Sequence, residues 1–537
     1  MLALVALALA ASWTGLRNGF AYDDVLIVRD NQQIHSLSNV AFDFVQGYWP
    51  REHGGALYRP LTLVLFTFQW LAGNGRPWVF HAVNIILYAG LTLAIYGLGR
   101  RILPRGGAWA AAAFFAVHPV HVEAVGNVVG QAEITTALAV VLGTWLYLHA
   151  RRGPELRARD SVGLLLLLAV AGLLKENGVV LPALLLAAEV TVVGDRRPLR
   201  ARLASLAPTY LLLGVGAGIL LAARRAALGA TVGEYPALML GGLGFRDRLL
   251  TMLAIVPEWA RLFLWPAHLR ADYAPPEFDA STAFGPPQLL GLAIVLTAAW
   301  LTAAVWRRRP VLAFGVVWMA LALLPVSNLL VPTGILLAER TLFLPSVGLV
   351  LAAGGVAARA GHHLQAAAPS LRHAVGTAFL AILAAGVVRS ALRQPAWRDT
   401  PTVLTQLTKD APLDYRAWLM YGGVLRERGE VEAARAAMLK AAALYRRDGR
   451  VYEDLGQLTR FRNGCPRAVP LFRRSLAIDP GRVDARGRLY VCLLEAGDTA
   501  EAMKIAAEGA KRGVWFFQLV MLTGPRPPQA ADRSAAH

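Results

Sequence analysis

The sequence is poor in cysteine. Only Cys465 and Cys492 occur in 537 residues, and no CxxC or Cys/His metal spacing is present. This scarcity excludes a disulfide-rich scaffold. We expect two free thiols, with a disulfide between them as the alternative in an oxidising compartment.

Charge is also scarce: charged residues make up 17% of the chain, hydrophobic residues make up 56%, and the mean hydropathy is +0.46. A soluble protein of this length would carry more charge. Apolar runs of about 16–22 residues recur along the first three quarters, near the length that crosses about 30 Å of hydrocarbon. We therefore predict a polytopic helical membrane protein rather than a soluble all-helical one.

The charge that is present is mostly positive, with a formal net charge of +19. The arginines lie in short loops between apolar runs, as the positive-inside rule predicts. The basic balance therefore reflects membrane topology and indicates no nucleic-acid partner.

Orienting the apolar runs by these arginines predicts an all-α bundle of about eleven transmembrane helices, which places the chain after about Arg389 outside the cytoplasm. A retained first helix is favoured over a cleaved signal peptide. Tyr58–Gly73 and Arg248–Leu269 are interpreted as re-entrant or interfacial segments. The predicted spans are Leu2–Leu16, Val79–Leu98, Trp109–Val125, Ile134–His149, Val162–Leu174, Val179–Val193, Leu203–Ala222, Leu289–Trp306, Pro310–Leu330, Thr341–Ala358 and Val375–Val388.

From about Pro412 the composition becomes charged and alanine-rich, and it repeats. Ala434, Ala468 and Ala502 recur at the 34-residue period of tetratricopeptide repeats. Such repeats stack helix pairs around a groove that commonly holds an extended peptide. The predicted organisation is a membrane domain over 1–391 with external loops at 17–78 and 223–288, a linker over 392–411, repeats over 412–514 and a tail over 515–537.

Two adjacent carboxylates, Asp23 and Asp24, follow the first apolar run in the stretch GFAYDDVLIVRDN. One interpretation is structural, because an aspartate often caps the next helix. The functional interpretation is a catalytic base that removes a proton from an acceptor hydroxyl at the outer membrane surface. We predict Asp23 and Asp24 as catalytic residues.

A second group of polar residues is predicted to line the same external cavity. His118, His121 and Glu123 stand in HPVHVEA, and Glu133 follows in GQAE. His and Glu are metal ligands, but the spacing is not H-E-x-x-H. We predict a polar helix end and assign no metal or cofactor, although a divalent metal is left open.

Cations near apolar segments form the third group. Lys175 and Glu176 lie between two apolar runs, where charges are costly unless they are useful or at the interface. We predict Lys175, Arg340 and Arg59 as ligands of a lipid-linked phosphate, against the alternative of headgroup-level positions. Glu176 and Asp272 are predicted to line the cavity.

In this order the motifs resemble a known family: FAYDDVLIVRDNQQI, YRPLT, FHAVNIILY, HPVHVEAV, GQAE, KENG, LRADYAPP and AERTLFLPSVG, followed by the repeats. They are similar to the transmembrane and tetratricopeptide-repeat family of protein O-mannosyltransferases and their bacterial relatives, within the C superfamily of glycosyltransferases. The family motif often reads G-R-A-E, and this chain has Gln131 in place of the arginine.

The resemblance implies a polyprenyl-phosphate-linked sugar donor, inversion at the anomeric carbon, and a catalytic carboxylate at Asp23. We expect a membrane glycosyltransferase that acts on a hydroxyl, in particular Ser or Thr of a protein or peptide that the repeats could hold. We place it in a bacterial inner membrane with the repeats in the periplasm. The alternatives are an inactive membrane-anchored repeat scaffold and a transporter, and the second lacks the polar or broken mid-membrane helices that it would need.

Overall fold

The computed structural model of the chain describes residues 1–50, 57–153, 155–230, 240–366 and 368–525. Within these ranges the regular structure is helical and contains no strand, so the predicted all-α class is confirmed. The chain divides into two compact units: Met1–Ala271 with Ala280–Val403, and Asp272–Asp279 with the described residues from Leu404 onward. Parts of the predicted external loops (51–56 and 231–239) and of the predicted tail (526–537) lie outside the described residues.

The first unit is built from apolar helices joined by short turns and 3₁₀ segments. Its α-helices are α1 Leu2–Ser12, α2 Val40–Asp43, α3 Pro60–Gly73, α4 Pro77–Ile102, α5 Arg105–Val117, α6 Val122–Gly126, α7 Gln131–Ala150, α8 Ala158–Leu174, α9 Leu181–Thr191, α10 Leu199–Leu228, α11 Phe245–Leu264, α12 Pro286–Val305, α13 Pro310–Leu323, α14 Phe343–Gln365 and α15 Pro369–Arg393. Helix α16, Thr400–Asp410, carries the chain from the first unit into the second.

Six helices of the described residues are long and apolar enough to cross a membrane, and a seventh span results if the bent pair α5–α6 counts as one. The six are Pro77–Ile102, Val128–Ala150, Leu199–Leu228, Pro286–Val305, Glu339–Gln365 and Pro369–Trp397. The prediction of about eleven spans is therefore not confirmed. Several predicted spans form shorter helices, such as α13 with 14 residues and α9 with 11.

Burial separates two kinds of apolar helix. In α10 and α12 only 17% of the apolar window is buried, and in α15 only 11%. In α7 the corresponding share is 78%. Helices α10, α12 and α15 thus present apolar side chains outward, as lipid-facing helices do, whereas α7 lies inside the bundle.

Helix α14 packs closely against two neighbours through glycines. A Cβ on Gly348 would lie 2.4 Å from the carbonyl oxygen of Gly315 on α13, and a Cβ on Gly107 of α5 would lie 2.7 Å from that of Gly354. Small residues at such crossings let helix backbones approach closely. This packing fixes the start of α14, where Arg340 stands just before the helix in the 3₁₀ turn Glu339–Leu342.

The second unit contains helix pairs, as the repeat pattern predicts, and one further helix that begins at Trp515, inside the predicted tail. Its helices are α17 Tyr415–Glu427, α18 Val431–Leu444, α19 Gly449–Asn463, α20 Cys465–Ile478, α21 Val483–Glu495, α22 Thr499–Lys511 and α23 Trp515–Thr523. The three alanines at the 34-residue spacing are fully buried, one on each second helix of a pair.

Small residues on the first helix of a repeat receive large residues from the second. A Cβ on Gly422 would lie 2.8 Å from Cγ of Met438, and a Cβ on Gly456 would lie 2.6 Å from Phe472. The third repeat departs from this rule, because its Tyr490 is fully buried and contacts Phe517 of α23 at a ring-centroid distance of 5.8 Å. The final helix therefore covers a repeat that has no small residue at this position.

The expectation of two free thiols is wrong, because Cys465 and Cys492 form a disulfide. Cys465 begins α20 and Cys492 lies on α21 of the next repeat. Stacking of the two repeats brings the Cα atoms of the two cysteines to 5.1 Å from each other, within the range of a disulfide. Their 27-residue separation has no sequence signature, so only the repeat packing reveals the pair.

Candidate functional site

Asp24 is a buried anchor for the loop that follows the first helix. It is fully buried, and its carboxylate accepts hydrogen bonds from the backbone N–H groups of Ala21, Val128 and Val129 at 3.2, 3.2 and 2.8 Å. Burial raises the pKa of Asp24 to about 7, although the three N–H donors act against that rise. All three bonds hold the loop in place.

The turn that presents Asp23 is held in an uncommon conformation. Tyr22 has a φ of 56°, in the left-handed region that non-glycine residues rarely adopt. Its backbone N–H donates to Oγ1 of Thr400 at 2.9 Å, and the Asp24 bonds close the other side of the turn. Adjacent aspartates thus diverge: Asp24 is fully buried, whereas the Asp23 side chain is 19% exposed.

Arg340 joins two carboxylates that lie on different segments. Its guanidinium lies 3.6 Å from Oδ2 of Asp23 and 3.0 Å from Oε1 of Glu123. Its backbone N–H also donates to Oε2 of Glu123 at 2.7 Å. Glu123 is almost completely buried, so this cation offsets the cost of burying its charge.

His121 fastens the segment that carries Glu123 to α14. Its Nε2 lies 2.8 Å from Oγ of Ser346, and its Nδ1 lies 2.8 Å from the hydroxyl of Tyr88. The Nε2 of His118 lies 3.1 Å from the carbonyl oxygen of Phe263, and its Nδ1 accepts the N–H of Val120. Both predicted histidines therefore use both ring nitrogens within the protein, a bonding pattern that suits structural histidines better than metal ligands.

The pair Lys175–Glu133 crosses between the turn after α8 and the start of α7. The ammonium of Lys175 binds the carboxylate of Glu133, and both residues are buried. Next to Glu133, Gln131 donates to Asn84 at 2.9 Å and accepts from Gln69 at 2.7 Å. The glutamine that replaces the family arginine thus lies in a network of buried amides.

Arg59 and Glu176 form a further ion pair of the region. The guanidinium of Arg59 binds Oε2 of Glu176 through two nitrogens at 3.0 and 2.8 Å. Arg224 approaches the other carboxylate oxygen at 3.3 Å. Thr62, one turn into α3, donates to the carbonyl oxygen of Leu174 at 2.7 Å, which locks α3 against the turn that carries Lys175.

Tyr48 is a residue of the site that sequence reasoning missed. Its ring lies beneath the guanidinium of Arg59, with 5.0 Å from Cζ to the ring centroid. Its buried hydroxyl has no hydrogen-bond partner among the described residues. Burial raises its pKa, so the hydroxyl keeps its proton. Such an orphaned donor beside charged groups suits a ligand oxygen. The sequence shows only a Tyr-Trp pair at 48–49, and the pair does not reveal that Tyr48 lies beneath Arg59.

The structure brings most of the predicted site residues into one electrostatic cluster. The charges of Arg340 and Glu123 act on each other and on Glu133, and those of Lys175 and Arg59 join them. Asp272 is not a member of this cluster. It belongs to the second unit, where Nε of Arg416 donates to its Oδ2 at 2.6 Å. The cluster, named here the charged cluster, consists of Asp23, Arg59, Glu123, Glu133, Lys175, Glu176 and Arg340.

Comparison with known proteins finds matches to family models in both units of the chain. The family model described as dolichyl-phosphate-mannose-protein mannosyltransferase matches residues 61–219, and tetratricopeptide-repeat models match residues 388–448 and 466–513. The mannosyltransferase match precedes the repeat matches along the chain, as the apolar helices precede the repeats in the fold.

Three relatives carry closely related names. Protein O-mannosyl-transferase TMTC3 of Mus musculus is 26% identical over 380 residues, which cover 65% of this chain and 41% of the relative. TMTC4 of Homo sapiens is 26% identical over 77% of this chain and 62% of the relative. Tmtc1 of Drosophila melanogaster is 27% identical over 80% of this chain and 59% of the relative.

The alignments thus span between 41% and 62% of the length of these relatives. Together the matches confirm the resemblance drawn from the motifs, to the TMTC-like O-mannosyltransferase family with tetratricopeptide repeats. They also support, with the apolar helices, an integral membrane protein.

Proposed function

We propose that this protein is a membrane glycosyltransferase that moves a sugar, with mannose as the first candidate, from a polyprenyl phosphate to a Ser or Thr hydroxyl of a protein. The observation that carries the proposal is the pairing of Asp23 with Arg340 at 3.6 Å inside the charged cluster. The printed names of the relatives and of the matching family support the reaction class.

Asp23 is the base. Its carboxylate removes the hydroxyl proton of the acceptor while the acceptor oxygen bonds to the anomeric carbon. Asp23 suits this role because its side chain is partly exposed, whereas that of Asp24 is enclosed by backbone donors. Asp24 holds the loop and takes no direct part.

The phosphate leaves with the electron pair of the broken C1–O bond, and cations stabilise its charge. Arg59 and Tyr48 are the proposed contacts for that phosphate, because the guanidinium lies over the tyrosine ring and the phenol has no hydrogen-bond partner among the described residues. Lys175 keeps Glu133 neutralised nearby, and Arg340 balances Asp23 and Glu123. Attack opposite the departing phosphate inverts the anomeric configuration.

The reaction takes place on the non-cytoplasmic face, which we propose is the periplasmic side of a bacterial inner membrane. The disulfide Cys465–Cys492 supports an oxidising compartment for the repeats. The groove of the repeats, which commonly holds extended peptide in such folds, is the proposed docking surface for an acceptor protein.

The test uses the full-length protein in lipid nanodiscs with mannosyl polyprenyl phosphate labelled in the sugar, and envelope protein from a strain that lacks the gene. Wild-type protein should transfer label to protein in a form that alkaline β-elimination releases. Asp23→Asn should transfer less than about 1% of that amount, since loss of a catalytic base costs about 10²–10⁴-fold.

The matched control is Asp30→Asn, because Asp30 lies in the same loop but is half-exposed and pairs with its neighbour Arg29. It should transfer label at the wild-type rate. Transfer of the label to lipid or glycan in place of protein would overturn the acceptor class, and full activity of Asp23→Asn would overturn the base.

A further inference from the structure

Arginines from the last turn of α4, from the end of α7 and from the segment after α9 line one cavity of the first unit. The cavity has a volume of about 540 Å³ and lies at the end of α4, at the end of α7 and along the segment after α9. Its charged lining consists of Arg101, Arg151, Arg152, Arg196, Arg197 and Asp195. We call it the arginine cavity. Its volume is within the range of small-molecule sites.

Part of this lining is fixed by buried carboxylates. Arg151 binds Glu189 at 2.8 Å and Asp195 at 2.9 Å, and Arg197 binds Asp195 at 2.8 Å. Arg202, which does not line the cavity, binds Oε1 of Glu189 at 2.8 Å, the same oxygen that Arg151 binds. Glu189 is fully buried. These pairs give the cavity a rigid, preorganised wall.

The remaining guanidinium groups of the lining have no carboxylate partner in the part of the chain that the structure describes. Arg101 stacks on the ring of Trp145 at 4.7 Å, and within the described residues no ion pair engages Arg101, Arg152 or Arg196. Arg152 and Arg196 are exposed. Bidentate guanidinium groups are the preferred protein ligands of phosphate.

The charge balance favours an anion. Six guanidinium groups, counting Arg202, stand against the carboxylates of Asp195, Glu189 and the nearby Glu155, a formal excess of three positive charges. The C-termini of α4, α7 and α9 each contribute about −0.5 of a charge. Roughly one positive charge or more therefore remains, enough to attract one phosphate group.

Membrane topology alone does not produce this arrangement. The positive-inside rule favours arginines at these helix ends and in the loops between them. It does not require that arginines from three parts of the chain line one cavity, or that buried carboxylates build its wall. Similar charges held together are costly unless a counter-charge joins them. Basic pockets between transmembrane helices on the cytoplasmic side, where arginine-rich loops are expected, commonly bind lipid phosphates.

We propose that the arginine cavity binds a phosphate-bearing anion on the side of the membrane that carries the arginine-rich loops. The site is independent of the transfer reaction proposed above. Its ligand has the chemistry of a phosphate monoester or diester, which an anionic lipid headgroup or a soluble phosphate can supply.

The experiment measures binding to the full-length protein in two arms. In the first, native mass spectrometry counts phosphatidylglycerol molecules retained as the lipid is titrated into neutral-lipid nanodiscs. In the second, inorganic phosphate and pyrophosphate are titrated and thermal stabilisation is recorded. The test variant is the double substitution Arg152→Gln with Arg196→Gln, which breaks no ion pair within the described residues.

The matched control is Arg307→Gln with Arg308→Gln, which removes the same charge from an exposed loop of the same arginine-rich set outside the cavity. We expect the ligand concentration at half-saturation to rise at least about 10-fold in the test variant, since each arginine near an anionic surface contributes about 1 kcal/mol. The control should shift by less than about 2-fold.

Dependence in the lipid arm alone identifies a headgroup, and dependence in the phosphate arm identifies a soluble ligand. Either result supports the site. Equal shifts for the test and control variants in both arms, or no shift for either, would show that the arginines serve topology alone and would overturn the proposal.

Discussion

The guanidinium of Arg340 lies 3.6 Å from the carboxylate of Asp23. The two residues are far apart in sequence, and they meet because glycine packing fixes the start of α14 while buried Asp24 fixes the loop. The same guanidinium binds Glu123 at 3.0 Å. A partly exposed carboxylate and a buried one therefore share one cation, and under the proposed function this relationship predicts separable effects on stability and on transfer.

Arg340→Gln should lower both stability and transfer. The substitution leaves Glu123 buried without its cation, and breaking a buried pair costs about 3–5 kcal/mol. Adding Glu123→Gln should restore most of the thermal stability while transfer stays low, because Asp23 still lacks its partner. Differential scanning fluorimetry and label transfer read out the two effects.

Arg29→Gln is the control for that pair of variants. Arg29 pairs with Asp30 at 2.7 Å with both side chains about half-exposed, and exposed pairs contribute about 0–1 kcal/mol. If the double variant at Arg340 and Glu123 recovered transfer together with stability, the role of Arg340 at Asp23 would be wrong.

Asp24→Asn should destabilise the protein far more than Asp23→Asn. An asparagine amide would turn an NH₂ group toward one or two of the backbone donors at Ala21, Val128 and Val129, at about 1–3 kcal/mol for each donor left unpaired. Asp23→Asn should change the free energy of unfolding by about 0.5 kcal/mol or less. Denaturant titration in detergent measures both, and equal losses would contradict the division of roles.

Tyr48→Phe should lower kcat/KM for the lipid-linked sugar donor without lowering the stability of the fold. Its hydroxyl has no partner among the described residues, so its removal should leave thermal stability unchanged or slightly higher. Loss of one hydrogen bond to a charged phosphate should cost about 1.5–3 kcal/mol, or roughly 10-fold to 150-fold in kcat/KM for the lipid donor.

Tyr58→Phe provides the comparison for Tyr48→Phe, since the hydroxyl of Tyr58 donates to the carbonyl oxygen of Phe44 at 2.9 Å. This variant should lose stability and keep its kinetics for the donor. The opposite assignment of effects to the two tyrosines would remove Tyr48 from the phosphate site.

Asp43 gives a pH dependence that can be checked on its own. Burial raises its pKa from 3.8 to about 7, and one oxygen accepts from Nε2 of Gln33 at 2.8 Å. The folded state thus holds a proton that the unfolded state releases near pH 4. Stability should therefore fall as pH rises from about 4 to about 7, by up to about 1.4 kcal/mol per pH unit.

Asp43→Asn should flatten the part of that slope that Asp43 contributes and should raise the melting temperature most above pH 7. Asp30→Asn should not flatten it, because Arg29 lowers the pKa of Asp30 through a side-chain hydrogen bond. Melting curves between pH 4.5 and 8 decide this, and an unchanged slope in Asp43→Asn would show that the group is ionised in the fold.

The sequence predicts the helical class and the repeats well, because their signals are periodic. The alanines at the 34-residue spacing are buried where the pattern places them. The number of spans is less accessible, because hydropathy alone does not separate lipid-facing α15 from buried α7.

The roles of adjacent residues depend on tertiary contacts. The local sequence does not distinguish Asp23 from Asp24. Two of the backbone N–H groups that donate to Asp24 belong to Val128 and Val129, more than a hundred residues away. Tyr48 is missed for the same reason, and the disulfide depends on the stacking of neighbouring repeats.

The proposed transfer reaction is tested most sharply by comparing envelope glycoproteins in a native host that carries the wild-type gene, a deletion, Asp23→Asn or Asp30→Asn at matched expression. We expect sugar masses on specific Ser- or Thr-containing peptides to vanish in the deletion and in Asp23→Asn, and to persist in wild type and Asp30→Asn. Sugar masses that vanish only in the deletion would contradict a catalytic role of Asp23, because an inactive scaffold needs the chain but not the carboxylate of Asp23.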